Sequence, residues 1–244
     1  MSIQDKVVIV TGASSGIGAA TTRILARQGA KLITVARRRD RLEAIRNELP
    51  DADIRIAEAD VTDPDAMKEV AVMALDAHGR IDALYNNAGI MPINALSQFA
   101  HDEWRRTLDV NVMGVLNGIS AVLPAMIEQK SGHIIATDSV LGHVVVPDLA
   151  VYCGTKFAIR AIMEGLRQEQ HGNGIKTSIV SPGVVRTEIF NSTSNSAHRQ
   201  EQIETEEAIG LDPEQVARAV AFALDAPADV DVNEIVVRPL AQPM

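Results

Sequence analysis

The feature that most constrains this chain is an alternation. Short runs of aliphatic and β-branched residues recur along its 244 positions, with helical patterns between them. The runs fall at 6–10, 31–36, 53–59, 82–86, 132–138, 176–181 and 232–237. Helical patterns fall at 17–29, 40–49, 64–78, 101–130, 150–170 and 213–225. Runs such as KVVIV and KLITVA are continuously apolar, as strands buried on both faces are. The alternation predicts about seven parallel strands with helices on both faces, a doubly wound α/β sheet. No linker divides the pattern, so residues 1–244 read as one domain. One long polar stretch, NSTSNSAHRQEQIETEE, interrupts it, and 190–207 reads as a mobile substrate lid within that domain.

Composition narrows the function. Aromatic residues are 3% of the chain, so the core must be built from Val, Ile, Leu and Ala. A net charge of -9 gives no footprint for nucleic acid and no attraction to an anionic membrane. No apolar run approaches the roughly 18 residues of a spanning helix, and the N-terminal run is too short for a signal peptide. The single cysteine, Cys153, has no internal disulfide partner, which fits a reducing cytoplasm. The six histidines show no metal-ligand spacing, so no metal is expected.

Two stretches carry chemistry. In VVIVTGASSGIGAATTRIL, Gly12, Gly16 and Gly18 lie between the first strand and the first helix. Unpartnered amides at a helix N-terminus suit a pyrophosphate, and glycine lets it approach the backbone. The spacing also suits an ordinary turn of small residues. The second strand ends in Ala36, Arg37, Arg38 and Arg39, with Asp40 placed to cap the next helix. Three cations before a positive helix end call for an anion, and the 2′-phosphate of NADP(H) would be one. A solvated arginine cluster is the alternative.

Further on, Tyr152 and Lys156 are spaced i, i+4 and share a helix face. A neighbouring ammonium lowers a phenol pKa, but bringing it to about 7 takes roughly 4 kcal/mol. A dry pocket and a positively charged nicotinamide would have to add to the lysine. So configured, the tyrosine could act as general acid or base. Ser139 ends the fifth strand, where such sheets bind ligands, and could hold a substrate oxygen. The pair equally suits a core aromatic with a snorkelling lysine.

Taken together, TGASSGIG (11–18), EADVTD (58–63), NNAG (86–89), DVNVMG (109–114), VYCGTK (151–156) and SPGVVRT (181–187) resemble the short-chain dehydrogenase/reductase family. The resemblance is to its small single-domain Rossmann-fold branch and covers nearly the whole chain. It implies that Tyr152 is the general acid/base, that Ser139 orients the substrate oxygen, and that Lys156 lowers the tyrosine pKa and holds the nicotinamide ribose. It implies that Asn111 holds a water linking the lysine to solvent. Cofactor contacts would come from Gly12, Ser14, Ser15, Gly16, Ile17 and Gly18, then Arg37, Arg38, Asp60 and Val61. Asn87, Ala88 and Gly89, with Tyr152 and Lys156, would continue the site, and Pro182, Gly183, Val185 and Thr187 would close it. Arg37 sits where NADP-dependent members carry a basic residue. Such proteins are commonly homotetramers, or homodimers.

Some positions depart from the family pattern. Asp138 stands where relatives carry a small or hydroxyl residue, and a structural hydrogen bond is expected of it. Tyr85 replaces a smaller aliphatic and reads as core. Cys153 is turned away from the site by its i+1 position.

Ser139, Val140, Leu141, Val144, Val145, Tyr152, Val184 and Phe190 would wall the substrate site, with Arg186 and His143 as the nearby candidates to bind an anion. The expected function is NADP(H)-dependent interconversion of a ketone or aldehyde and its alcohol. The chain also looks like the branch holding NADP-dependent serine and allo-threonine dehydrogenases and clavulanate-type aldehyde reductases. A 3-oxoacyl carrier-protein reductase is the alternative enzyme, and a non-catalytic NADP-binding redox sensor the alternative of another class.

Overall fold

The computed structural model describes residues 3–193 and 196–243. Strands β1 (Val7–Thr11), β2 (Lys31–Ala36), β3 (Ile54–Glu58), β4 (Ala83–Asn86), β5 (Gly132–Thr137), β6 (Ile175–Pro182) and β7 (Glu234–Val237) form one parallel sheet. Their order is β3-β2-β1-β4-β5-β6-β7. The helices are α1 (Gly16–Arg27), α2 (Arg39–Asn47), α3 (Pro64–His78), α4 (His101–Leu108), α5 (Gly114–Gln129), α6 (Ala150–Gln170), α7 (Ser196–Ile209) and α8 (Pro213–Asp225).

The apolar runs are continuous because both sheet faces are covered. Val7 and Ile9 of β1 face a cluster shared with α3, α5 and α6. Val8 and Val10 point the other way, into a cluster shared with α1, α2 and α8. Each such side chain contributes about 1.5–3 kcal/mol on burial. Local signals set the helix ends. The Asp63 carboxylate accepts from the amides of Asp65 and Ala66 at the start of α3, and Gly79 closes that helix at φ 74°. Asp212 and Gln215 form a capping box on α8.

The chain leaves β1 towards β2 and β3, then crosses back to pair β4 with β1. Loops after β1 and β4 therefore diverge, and the crevice between them opens at the C-terminal ends of the strands.

Three expectations change. The pattern at 101–130 is not one helix, because a π-helical turn at Asp109–Met113 separates α4 from α5. The run His101–Gln129 contains an 18-residue window of mean hydropathy 1.7, apolar enough to span a membrane, contrary to the sequence reading. Its α5 portion packs against α3, β4 and β5, as a core helix does, and 44% of the window is buried. Asp40 is not the cap of α2; Arg38 holds that place, and Asp40 lies in the first turn, where its charge still suits the helix end. The polar stretch after residue 190 contains α7, while positions 194 and 195 of it lie outside the described residues.

Candidate active site

A cleft of about 630 Å³ runs along the crevice. It is lined by every expected cofactor residue except Gly18, by Ser139, Tyr152 and Lys156, and by Leu141, Val184 and Phe190. Gly18 and Asn111 do not line it.

At one end the glycine loop is shaped by close backbone contacts. Gly12 has φ 64°, and a Cβ there would sit 2.9 Å from the Cα of Ala88. A Cβ at Gly18 would meet Asn87 Nδ2 at 2.6 Å. Thr11 Oγ1 accepts from the amides of Asn87 (3.0 Å) and Ala88 (3.2 Å), locking the β4 turn to the loop. Helix α1 begins with no side-chain cap and no acid in its first turn, leaving its amides available to an anion.

The two arginines engage different partners. Arg37 pairs with Asp60 at 3.6 Å. Arg38 reaches over the loop, donating to Ser14 Oγ at 3.0 Å and Ser15 Oγ at 2.8 Å, and pairs with Glu188 at 2.8 Å. Glu188 also pairs with Arg41 at 2.6 Å. Asp60 accepts from the Thr62 amide and hydroxyl, which shapes the turn beneath the cleft.

At the other end the polar groups are buried. Tyr152, Ser139 and Lys156 are 5%, 9% and 6% exposed. Ser139 Oγ accepts from the Leu141 amide at 3.1 Å, and the Ser139 hydroxyl favours the ionised form of the Tyr152 phenol. Lys156 Nζ donates to the Thr137 carbonyl at 2.7 Å and lies 5.6 Å from the Tyr152 ring centre. The spacing of one helical turn brings the pair together, as the sequence suggests. Burial, rather than the neighbouring ammonium, dominates the ionisation of the pair. It pushes the Tyr152 phenol well above its usual value, against the opposing effect of Ser139. Burial also pushes Lys156 down to about 8. Without a cofactor charge, desolvation outweighs the ammonium.

Asn111 sits in the π-turn, a widening that often accompanies functional positions. Its side chain accepts from the Ile90 amide and donates to the Ile90 carbonyl, both at 2.9 Å, and to Thr155 Oγ1 at 3.2 Å. The two donated bonds use both side-chain amide hydrogens.

The segment after β6 closes over this end. The amides of Met91 and Ile93 donate to Ser192 Oγ (2.9 Å) and Thr193 Oγ1 (2.7 Å). Met91, Ile93, Tyr152 and Phe190 then form an apolar cluster with Leu141, Leu149 and Ile189. Glu206 of α7 accepts from the Thr187 amide and hydroxyl. Met91, Leu149 and Ile189 line the cleft but escaped the sequence reading, because they come from loops without a periodic signal, and Glu206 of the expected lid segment lines it too.

Other expected wall residues lie elsewhere. Val144 and Val145 are 43% and 65% exposed and do not line the cleft. Arg186 donates to the Gly210 carbonyl and pairs with Asp212 at 3.7 Å, away from the cleft. His143 is engaged by Glu234 at 3.0 Å and Arg160 at 2.9 Å. Tyr85 is fully buried and accepts from Thr137 Oγ1 at 2.7 Å, as a core residue should. Cys153 is also buried.

Comparison with known proteins places this geometry. The family model for short chain dehydrogenase matches residues 6–198. An uncharacterized oxidoreductase of Staphylococcus saprophyticus is 48% identical over 99% of this chain and 98% of its own. A closed form of serine dehydrogenase complexed with NADP+ matches with a TM-score of 0.91 and 31% identity, over 98% of this chain and 96% of that one. A Burkholderia phymatum short chain dehydrogenase/reductase in complex with NAD matches with a TM-score of 0.89 and 25% identity, over 97% and 90%. The chain belongs to the short-chain dehydrogenase family, a class of oxidoreductases built on a nicotinamide-binding fold.

Proposed function

We propose that this oxidoreductase uses NADP(H) to interconvert a neutral ketone or aldehyde and its alcohol, with Tyr152 as the proton-transfer group. The observation that carries the reading is that Tyr152, Ser139 and Lys156, all buried, line the same cleft as the glycine loop. The cradle fits a dinucleotide, since side chains at Gly12 and Gly18 would fill the space against Ala88 and Asn87. When bound, the nicotinamide supplies the hydride donor or acceptor.

The rest of the chemistry belongs to this chain. Ser139 would donate to the carbonyl oxygen and fix it beside the phenol. Tyr152, protonated at neutral pH, would give its proton to that oxygen as negative charge develops there. Its raised pKa suits this reducing direction directly, whereas oxidation requires the phenol to be ionised first. Lys156 would favour the resulting phenolate and hold the ribose. Asn111 would fix the loop at Ile90 and hold the water that reconnects Lys156 to solvent.

Arg38 over Ser14 and Ser15 supports a 2′-phosphate, and Arg37 and Arg41 add positive charge at that end. The apolar wall of Met91, Leu141, Leu149, Ile189 and Phe190 supports an apolar carbonyl substituent. Arg186, turned away, offers no anchor for a hydroxy acid. The whole chain acts as one domain, with 190–207 as its lid. An oligomer, by family a tetramer or dimer, would cover Leu108, Met113 and Phe157, which are 48%, 47% and 43% exposed. A panel of ketones and aldehydes with NADPH and NADH tests the reading. Turnover of apolar carbonyls with NADPH supports it, and absence of turnover across the panel refutes it.

A further inference from the structure

All four arginines between positions 37 and 41 face a carboxylate. Arg37 pairs with Asp60, Arg39 with Glu43 one turn along α2, and Arg38 and Arg41 share a single acid, Glu188. Glu188 comes to them from the segment after β6. Its Oε2 accepts from Arg38 Nη1 at 2.8 Å and its Oε1 from Arg41 Nη1 at 2.6 Å. Arg38 Nε donates to Ser14 Oγ at 3.3 Å, and Nη2 donates to Ser14 and Ser15. A guanidinium carries five N–H donors, and four of those on Arg38 are therefore engaged. A phosphate is held best by two parallel N–H groups, so a 2′-phosphate beside Ser14 meets a guanidinium already committed. The two serines are neutral and can themselves donate to a phosphate. Glu188 is an anion and cannot share the place without repulsion.

The same acid begins the substrate wall. Glu188 caps the short turn Ile189–Ser192, and its carbonyl accepts from the Asn191 amide at 3.0 Å. Phe190 of that turn packs in the apolar cluster with Tyr152, while Ser192 and Thr193 hold the amides of Met91 and Ile93. One side chain thus ties the arginine end of the cleft to the turn that walls the other end.

We propose that Glu188 is an internal competitor for the 2′-phosphate: it occupies Arg38 and Arg41 until the phosphate takes them, and its release loosens the turn that carries Phe190. This rests on the reading of the cofactor as NADP(H). NAD(H) has a hydroxyl at that place, which neither repels Glu188 nor attracts both arginines, so the bridge stays closed. The substrate wall then responds to which dinucleotide is bound. Glu188, Arg38 and Arg41 are 40%, 43% and 42% exposed, so water screens their ion pairs and a phosphate can replace the carboxylate at small cost.

The test titrates the full-length protein and its Glu188→Gln variant by calorimetry with adenosine 2′,5′-bisphosphate and with 5′-AMP. Glutamine keeps the size of the side chain and removes its charge. The bisphosphate is expected to bind Glu188→Gln about three- to tenfold more tightly than the unmutated protein, with 5′-AMP unchanged. An unchanged bisphosphate affinity overturns the proposal, and so does a weaker one, which would make Glu188 a residue that orients the arginines. A second measurement needs no variant. Hydrogen exchange across 187–193 of the unmutated protein is expected to quicken with the bisphosphate and to stay unchanged with 5′-AMP, and equal exchange with the two ligands overturns the proposal. Equal affinity for the two nucleotides in both proteins refutes the NADP(H) reading, and this inference with it. A preference for the bisphosphate that Glu188→Gln leaves unaltered refutes the inference alone.

Discussion

The two ends of the cleft are built by opposite means. The end lined by the glycine loop is made of backbone and exposed charge: glycines at positive φ, open helix amides, and an Arg37 side chain 61% exposed. The end at Tyr152 is made of buried side chains whose ionisation is governed by desolvation. Solvated charges at the first end provide selection, since ion pairs there are screened and individually weak. Enclosed charges at the second provide chemistry, since each is strongly felt by its neighbours. Substitutions at the two ends should therefore separate binding from turnover.

The largest separation is expected from Tyr152→Phe. Steady-state reduction should fall by about a hundredfold or more, while NADPH affinity measured by fluorescence stays within a few-fold. Gly18→Ala should do the reverse. Its Cβ would collide with the Gly12 backbone carbonyl and lie 2.6 Å from Asn87 Nδ2, so a loss of about 1–3 kcal/mol in denaturant unfolding and a weakened cofactor titration are expected. Arg38→Ala should weaken NADPH binding by about tenfold and leave NADH nearly unchanged, as charge-assisted contacts to a single phosphate would. With Lys156 near 8, the ammonium is present below that pH and lost above it, so kcat/KM for reduction should decline on the alkaline side. Phe190→Ala, at the edge of the apolar cluster, should raise KM by about a few-fold with a smaller change in kcat, measured with the best carbonyl of the panel.

The same contrast explains what the sequence could and could not tell. The strands were legible because burial on both faces makes them continuously apolar, and Tyr152 and Lys156 because helix geometry fixes i, i+4 neighbours. The glycine loop was legible because few side chains tolerate its contacts. The π-turn at Asn111 was hidden inside one unbroken apolar pattern, and α7 inside a polar stretch without a helical stripe. Arg186 and His143 stand as candidates to bind an anion in the sequence because position does not reveal side-chain direction. Gly210, Asp212, Glu234 and Arg160 decide it through tertiary contacts. The i, i+4 spacing shows an ammonium that favours the Tyr152 phenolate, while the burial that opposes ionisation is not measured by spacing.

The central claim is that the Tyr152 end delivers a proton to a carbonyl reduced from the glycine-loop end. Its most direct measurement is a single-turnover reaction with NADPH deuterated at the transferable position, followed by mass spectrometry of the alcohol. The account predicts deuterium on the former carbonyl carbon with the unmutated protein and little product with Tyr152→Phe, although both bind the cofactor. Full label transfer by Tyr152→Phe at the unmutated rate would contradict it.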